Sequence, residues 1–195
     1  MLFTTKAIVV HSANDEFPYT VRSARKNDAD ILAAYFQRNR AFLKPWDPVR
    51  DESFYTESGW KFKIHHLVEL EKLSQSLYFM ILDETEQQVL GIISFSNICG
   101  YPFHACNLGY SLDEQWQGKG IMKQALTRAL QYVFEQRNVH RIQAAFMPHN
   151  TKSQRVLYGL GFEQEGFAKD YLLIDGKWQD HVLTSLVDQN WTKKS

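Results

Sequence analysis

The sequence predicts a mixed α/β fold in which a mostly antiparallel, twisted sheet is flanked by about four helices. Runs rich in β-branched and aromatic residues outnumber the helical patterns, and three such runs follow one another between residues 78 and 112. A strand, helix, strand succession over residues 104–147 allows one parallel pair. No repeat or Pro/Gly/Ser-rich linker interrupts the 195 residues, so we expect a single domain over 1–195.

The N-terminal half is predicted to hold one strand and two helices. Apolar residues recur at helical spacing, and Asn27 or Asp28 stands where an N-cap is needed. Between the helices, Pro45 and Pro48 lie among few helix signals. In chain order the elements are a strand over 19–25, a helix to about Arg38, a shaped loop over 42–54 and a helix over 58–73. Residues 1–11 are expected to form an edge strand or a loose terminus.

The C-terminal half alternates strands with two helices. Three β-rich runs come first, followed by a helix with a strong apolar face that starts at Gly120. Asp175-Gly176 suits the positive φ angles of a two-residue turn between the last two strands. In chain order the elements are strands over 78–82, 89–97 and 104–112, a helix over 120–136, a strand over 141–147, a short helix over 150–160 and the final hairpin.

Composition argues against several classes of protein. Lysine plus arginine and aspartate plus glutamate both total 22, so the net charge is zero and the broad basic surface of a DNA-binding protein is not expected. No apolar run approaches the roughly 20 residues that span a bilayer, and no signal peptide is recognisable, so we expect a cytoplasmic protein without membrane contact. Cys99 and Cys106 are expected to be reduced, buried thiols, and no metal site is predicted.

The clearest candidate site is Gln117-Gly118-Lys119-Gly120-Ile121-Met122, directly between a strand and a helix. Two glycines allow close backbone approach, and the unpaired amides of the first helical turn favour a pyrophosphate, to which Lys119 or Lys123 could add a charge. A tight turn that binds nothing is the alternative. A dinucleotide fingerprint would need a third glycine at Lys123, and the Gly-Lys-Ser/Thr of nucleotide hydrolases is missing, so NAD and ATP are not expected.

This segment resembles the Gln/Arg-x-x-Gly-x-Gly/Ala motif of the GCN5-related N-acetyltransferases (GNAT), with Gln117 and Gly120 at matching positions. Met122 departs from the motif and is expected to make the start of the helix bulkier. Two further segments match at the family's spacing, Leu108-Gly109-Tyr110-Ser111-Leu112 and Asn150-Thr151-Lys152-Ser153. Within the family the chain is most similar to the RimJ-type ribosomal-protein alanine N-acetyltransferases, through stretches such as Phe42-Leu43-Lys44-Pro45-Trp46 and residues 168–176.

The resemblance implies a GNAT-like fold, with acetyl-CoA in a V-shaped opening between a parallel fourth and fifth strand. Backbone amides of Tyr110 and Leu112 would hold the thioester carbonyl and the pantetheine, Asn150 would bond the pantetheine amides, and residues 117–122 would bind the pyrophosphate. The acetyl group would pass to the α-amine of an N-terminal alanine on a small-subunit ribosomal protein, either free or on an assembling ribosome.

Candidate catalytic residues follow from the resemblance and, for the base, from position beside the predicted strands. The family's frequent tyrosine acid is replaced by Leu157, and Tyr158, about 100° further round the helix, is expected to face away from the sulfur. Ser153 is the candidate donor to the leaving thiolate, with helix capping as its alternative role. Asp170 or Glu114 is the candidate base, with a solvated surface carboxylate as the alternative.

The resemblance further implies an acceptor rim on the loop after the first helix and on the final hairpin, formed by Trp46, Arg50, Tyr171 and Trp178. Core packing is the alternative for the two tryptophans. Three other functions stay open: acetylation of a polyamine, an antibiotic or a lysine side chain; a CoA-binding ribosome-assembly module with dispensable catalysis; and a fold whose glycine turn binds nothing.

Overall fold

The chain forms a seven-stranded sheet with helices on both faces. The fold is given by a computed structural model that describes residues 18–192, so the prediction for residues 1–11 lies outside the described residues. The strands are β1 (Tyr19–Ser23), β2 (Leu77–Asp83), β3 (Val89–Cys99), β4 (Ala105–Leu112), β5 (Arg141–Phe146), β6 (Glu163–Ile174) and β7 (Lys177–Val187). The helices are α1 (Ala29–Arg38), α2 (Arg40–Leu43), α3 (Glu57–Lys72), α4 (Ile121–Gln136) and α5 (Thr151–Tyr158). Over the described residues, none of them is long and apolar enough to cross a membrane.

The strands lie in the order β1-β2-β3-β4-β5-β7-β6, and every neighbouring pair is antiparallel except β4 and β5. This confirms the predicted mixed fold with one parallel pair. The parallel pairing is short, because it joins only residues 105–107 to residues 141–143. From Leu108 onward β4 pairs with β3 alone, and from Ala144 onward β5 pairs with β7 alone. The two strands therefore part at their C-terminal ends.

Alternate residues of the central strands face two separate cores. On β2, Phe79 and Ile81 belong to the cluster under α4, whereas Met80 and Leu82 belong to the cluster under α1 and α3. The period of two in a strand puts neighbours on opposite faces, and both faces are apolar because helices cover both. Trp60 of α3 is fully buried in the second cluster.

The start of α1 differs from the predicted capping arrangement. Asp28 occupies the N-cap position, but its carboxylate makes no cap hydrogen bond with the helix. The carboxylate instead accepts hydrogen bonds from both terminal nitrogens of the Arg22 guanidinium, at 2.7 and 2.9 Å, and Arg22 is only 4% exposed. Burying an arginine without a partner is costly, so the ion pair takes the carboxylate that the cap would have used. The predicted cap bond is therefore wrong.

The shaped loop expected over 42–54 contains helical turns. It begins inside α2, continues as a 3-10 turn over Lys44–Trp46, and ends in a second 3-10 turn over Glu52–Tyr55. Pro45 lies in the first turn of one such segment, where a missing amide costs little. Asp51 caps the other, because its side chain accepts a hydrogen bond from the Phe54 amide at 3.3 Å.

The two cysteines differ in burial. Cys106 is buried, as expected, whereas Cys99 is exposed, which corrects the prediction of two core thiols. Cys99 ends β3, whose last four residues, 96–99, are exposed or only partly buried.

A buried carboxylate joins the end of α1 to the end of β4. Asp113, with 0% exposure, accepts hydrogen bonds from Arg38 Nε at 2.7 Å, Asn39 Nδ2 at 2.9 Å and the Gln115 amide at 2.9 Å. Burial opposes ionisation, but these donors outweigh it and hold the pKa of Asp113 below its usual value. The carboxylate therefore fixes where β4 ends and where the following loop begins.

Replacing Asp113 with asparagine should destabilise the fold. The substitution leaves Arg38 without an anion and turns an NH₂ group toward other donors. We expect Asp113→Asn to lower the free energy of unfolding by about 2–4 kcal/mol near neutral pH, measured by urea denaturation.

The size of this loss should depend on pH. A carboxylate whose folded-state pKa is lowered stabilises the fold above its unfolded value, near about 3.9, and the stabilisation disappears as the pH falls through the lower folded value. The difference in free energy of unfolding between wild type and Asp113→Asn should stay constant above about pH 5 and shrink below about pH 4. As a control, Glu114→Gln removes an exposed neighbouring carboxylate and should cost less than about 0.5 kcal/mol. Equal losses for the two variants would contradict the role of Asp113.

Candidate active site

The opening between β4 and β5 is bordered by the elements that carry the predicted cofactor-binding residues. β4 supplies Tyr110 and Leu112, the loop that follows Asp113 leads to α4, and the turn after β5 leads to α5. Because β4 has no partner on its β5 side after Asn107, its backbone groups there are not used by the sheet.

The glycine loop adopts a backbone that side chains rarely tolerate. Gly118 and Gly120 both have φ of +76°, in the left-handed region. A Cβ at Gly118 would meet nothing within 4 Å, and one at Gly120 would find its nearest atom, Gln124 Nε2, at 3.9 Å. Conformation rather than crowding therefore requires glycine here. Gly120 is the N-cap of α4, so the amides of the first turn point out of the helix without intrahelical partners.

The other motif side chains hold the loop in shape. Gln117 Nε2 donates to the Leu112 carbonyl at 3.0 Å, which ties the loop back to the end of β4. The Lys119 ammonium lies 4.4 Å from the centre of the Trp116 ring. Ile121 and Met122 are 2% and 5% exposed and belong to the core under α4. The expected bulk of Met122 at the start of the helix is therefore wrong, because its side chain packs inward.

A hydrogen bond that sequence analysis did not predict connects the two sides of the opening. The Tyr110 hydroxyl lies 2.7 Å from Ser153 Oγ and 3.3 Å from the Ser153 carbonyl oxygen. Burial raises the pKa of Tyr110 to about 12, with the bond to Ser153 opposing the rise, so the tyrosine stays protonated. The only sequence signal was strand alternation, which puts the side chains of Tyr110 and Ser111 on opposite faces of β4.

Asn150 organises the first turn of α5. Its Oδ1 accepts the Ser153 amide at 3.1 Å, so Asn150 is the N-cap of the helix. The alternative role of Ser153 as a helix cap is therefore wrong, since Ser153 receives the cap rather than providing it. With Oδ1 engaged, the Asn150 NH₂ group can donate to a carbonyl of a bound molecule.

Tyr158 lies where its helical position predicts. Leu157, at the preceding position, is fully buried, whereas Tyr158 is 39% exposed. The Tyr158 hydroxyl donates to Gln164 Oε1 at 3.1 Å, and its ring contacts Phe146 edge-on at 6.1 Å. These contacts confirm that Tyr158 is a packing residue at the surface.

The two candidate bases lie in different parts of the sheet. Glu114 is exposed directly after β4, and its amide donates to Asn39 Oδ1 at 3.0 Å. Asp170 is exposed on the edge strand β6, with β7 between it and β5. It lies in an irregularity of the β6 and β7 pairing, with φ of +47°, and its amide donates to Asp180 Oδ1 at 2.9 Å.

The loop after α1 touches the final hairpin. The Asp175 amide, in the turn between β6 and β7, donates to the Asp47 carbonyl at 3.0 Å. Trp46, beside Asp47, lies with its ring 5.5 Å from the ring of His149, which precedes Asn150. The loop therefore connects the hairpin to the turn that starts α5.

The four predicted rim residues come from these two touching segments. Arg50 lies with its guanidinium 4.7 Å from the centre of the Phe54 ring. Trp46 is partly buried, Tyr171 is 45% exposed and Trp178 is 62% exposed. The core-packing alternative for Trp178 is therefore wrong.

Sequence analysis also missed an ionisable cluster behind the rim. Lys63 of α3 lies 4.5 Å from the Phe54 ring centre and 4.8 Å from that of Trp60. Burial, with Arg50 nearby, lowers the pKa of Lys63 to about 8, and burial raises the pKa of Asp47. The sequence of α3 gives no signal that Lys63 is buried, because part of its covering comes from Phe54, in the loop between α2 and α3. In residues 18–192, no three His, Cys, Asp or Glu side chains are grouped as metal ligands.

Comparison with known proteins identifies the family. The model of the acetyltransferase (GNAT) domain matches residues 19–163. The chain is 50% identical, over 172 residues, to the [ribosomal protein uS5]-alanine N-acetyltransferase of Escherichia coli (strain K12), which covers 88% of this chain and 89% of that protein.

Solved structures agree with this assignment. A crystal structure of ribosomal-protein-S5-alanine acetyltransferase from Vibrio fischeri is 47% identical, with a TM-score of 0.88, over 90% of this chain and 96% of that one. Mycobacterium smegmatis RimJ in complex with CoA-disulfide is 27% identical, with a TM-score of 0.84, over 91% of this chain and 85% of that one. The parted β4 and β5, the glycine loop before α4 and these matches lead to one conclusion: the chain belongs to the GNAT acetyltransferase family.

Proposed function

We propose that this protein transfers the acetyl group of acetyl-CoA to the α-amine of an N-terminal alanine on a small-subunit ribosomal protein. The observation that supports this choice of acceptor is the 50% identity, across 88% of the chain, to an enzyme named for the alanine of ribosomal protein uS5. An enzyme with such an acceptor works in the cytoplasm, on the free protein or on an assembling ribosome.

The proposed cofactor site follows the opening from the glycine loop to the start of α5. The amides of the first turn of α4, with the loop from Gln117 to Met122, suit a pyrophosphate through their direction and the helix dipole. Backbone groups of Tyr110 and Leu112, beyond the parallel pairing, suit the thioester and the pantetheine amides, with the Asn150 NH₂ group as a further donor. The CoA compound bound by the Mycobacterium smegmatis relative supports this ligand.

The proposed reaction is direct attack of a neutral amine on the thioester carbonyl. The α-amine has an ordinary pKa of about 7.7–8.0, so a useful fraction is neutral near pH 7. A backbone donor to the developing oxyanion is commonly worth about 3 kcal/mol. Ser153 would donate a hydrogen bond to the leaving sulfur, from the first turn of a helix whose cap fixes its backbone.

The proposed acceptor channel lies between the loop after α1 and the final hairpin. Trp46, Arg50, Tyr171 and Trp178 come from these two segments, which are joined by the hydrogen bond from Asp175 to Asp47. The exposed face of Trp178 offers apolar area to a peptide without a cost in core packing. An N-terminus entering here reaches the opening beside His149, where Trp46 and the start of α5 meet.

Glu114 is the better placed of the two candidate bases, because it follows β4, the strand that carries Tyr110 and Leu112. Asp170 lies on β6, which β5 and β7 separate from β4. We expect Glu114→Gln to lower kcat about tenfold near pH 7 and to recover toward wild type above about pH 9, where the amine is already neutral. Asp170→Asn should leave the pH profile unchanged. A shifted profile for Asp170→Asn alone would move the assignment to that residue.

Gly120→Ala tests the cofactor site. A left-handed backbone costs an alanine about 1–2 kcal/mol, and relief of that strain turns the first amides of α4 away from the ligand, so we expect CoA to bind about tenfold more weakly by calorimetry. Gly176→Ala is the matched control, because Gly176 has φ of +74° in the turn between β6 and β7, outside the proposed cofactor site. Equal CoA affinity in the two variants would argue against binding at the glycine loop.

The acceptor is tested by mass spectrometry. Purified protein is incubated with acetyl-CoA and two peptides, one starting with a free alanine and one with a blocked terminus and free lysines. We expect a gain of one acetyl group on the alanine peptide alone. Acetylation of the lysine peptide would move the acceptor to side-chain amines, and no acetylation of either would overturn the proposed acceptor while leaving the family assignment in place.

A further inference from the structure

We propose that Tyr110 is a positioning residue for Ser153: its hydroxyl donates to Ser153 Oγ and thereby leaves the serine's own proton free for the opening between β4 and β5. The inference rests on the proposed function, because it concerns how the same site releases its thiol. It adds a side-chain role to a residue whose backbone alone was expected to act.

The geometry singles out the hydroxyl pair. The separation of 2.7 Å between Tyr110 Oη and Ser153 Oγ is the usual length of a good O–H···O bond. The Ser153 carbonyl oxygen, at 3.3 Å from the same hydroxyl, is beyond the usual range for such a bond. The contact joins β4, beyond the end of its pairing with β5, to the first turn of α5.

The direction of the bond decides what Ser153 can do. Each hydroxyl carries one proton, so only one of the two can donate within the pair. A phenol is the more acidic hydroxyl and the better donor, and burial keeps Tyr110 protonated throughout the physiological range. When Tyr110 donates, the proton of Ser153 is available to another acceptor; when Ser153 donates, it is not.

The chemical step is balanced without a proton leaving Tyr110. The amine nitrogen forms a bond to the carbonyl carbon, the carbon–sulfur bond breaks, and its electron pair goes to sulfur. Ser153 O–H donates a hydrogen bond to the sulfur as negative charge develops there, and the proton lost by the amine goes to the base or to water. Tyr110 acts only by fixing the orientation of the serine hydroxyl.

The chain contains a matched control for this pair. Tyr35 of α1 is fully buried, and its hydroxyl lies 2.9 Å from Oγ of Ser111, the residue next to Tyr110 on β4. Tyr35→Phe therefore removes a comparable tyrosine to serine bond from the same strand, but on the face away from Ser153.

The experiment measures steady-state acetylation of the alanine peptide by wild type, Tyr110→Phe, Ser153→Ala, the double variant and Tyr35→Phe. We expect Tyr110→Phe and Ser153→Ala each to lower kcat by about tenfold, with KM for acetyl-CoA changed by less than about twofold. The double variant should be no slower than Ser153→Ala alone, since Tyr110 acts through that serine. Tyr35→Phe should keep the wild-type kcat, and melting temperatures check that all five proteins are folded.

Three outcomes would overturn the inference. One is a double variant slowed by the product of the two single effects, another is an unchanged kcat in Ser153→Ala, and the third is an equal fall in kcat for Tyr110→Phe and Tyr35→Phe. A wild type that acetylates only the lysine peptide would overturn the proposed acceptor but not the positioning role, which the same variants then decide with that peptide. A wild type that acetylates neither peptide would overturn the proposed acceptor, and the same variants then decide the positioning role with a polyamine as the acceptor.

Discussion

The ionised carboxylate of Asp113 is the constraint on which the site depends. A buried charge is tolerated only when several donors surround it, and here those donors come from the end of α1 and from the loop after β4. These hydrogen bonds fix the end of α1, the end of β4 and the loop after β4 relative to one another. The end of β4 and the start of the glycine loop therefore have defined positions before any ligand binds, and preorganisation of this kind lowers the ordering cost of binding.

The short parallel pairing of β4 and β5 leaves backbone groups unpaired at the proposed cofactor site. Backbone groups inside a sheet are normally paired, and leaving them unpaired is unfavourable unless water or a ligand satisfies them. After Asn107 this sheet leaves one side of β4 open, while β3 and the helices on both faces keep the strand in place. The same gap allows α5 to approach, so that Ser153 reaches Tyr110 across it.

The sequence patterns predicted those elements whose structure depends on residues close together in the chain. The β-rich runs, the apolar face of α4 and the Asp175-Gly176 turn were all predictable, because each depends on residues that are close in the chain. The position of the glycine motif between a strand and a helix was predictable too, whereas the left-handed conformation of Gly118 and Gly120 was not predicted. The predicted cap bond of Asp28 was wrong because Arg22 takes its carboxylate. The predicted burial of Cys99 was wrong because this residue lies at the exposed end of β3. The Tyr110 to Ser153 bond and the burial of Lys63 join segments far apart in sequence, and no spacing rule reports them.

The irregular pairing at Asp170 has a consequence for the molecule in a crowded solution. β6 is a strand of 12 residues at the edge of the sheet, and Phe167, Leu172 and Leu173 on it are exposed. A long, flat edge with apolar side chains is a template for strand addition by other chains. Two shifts in pairing, one between Gln164 and Gly166 and one around the positive φ of Asp170 between Ala168 and Leu172, break that edge into three shorter pieces that do not share one register. This irregular pairing allows the hairpin to keep exposed apolar side chains, because it makes the edge of β6 a poorer template for another strand.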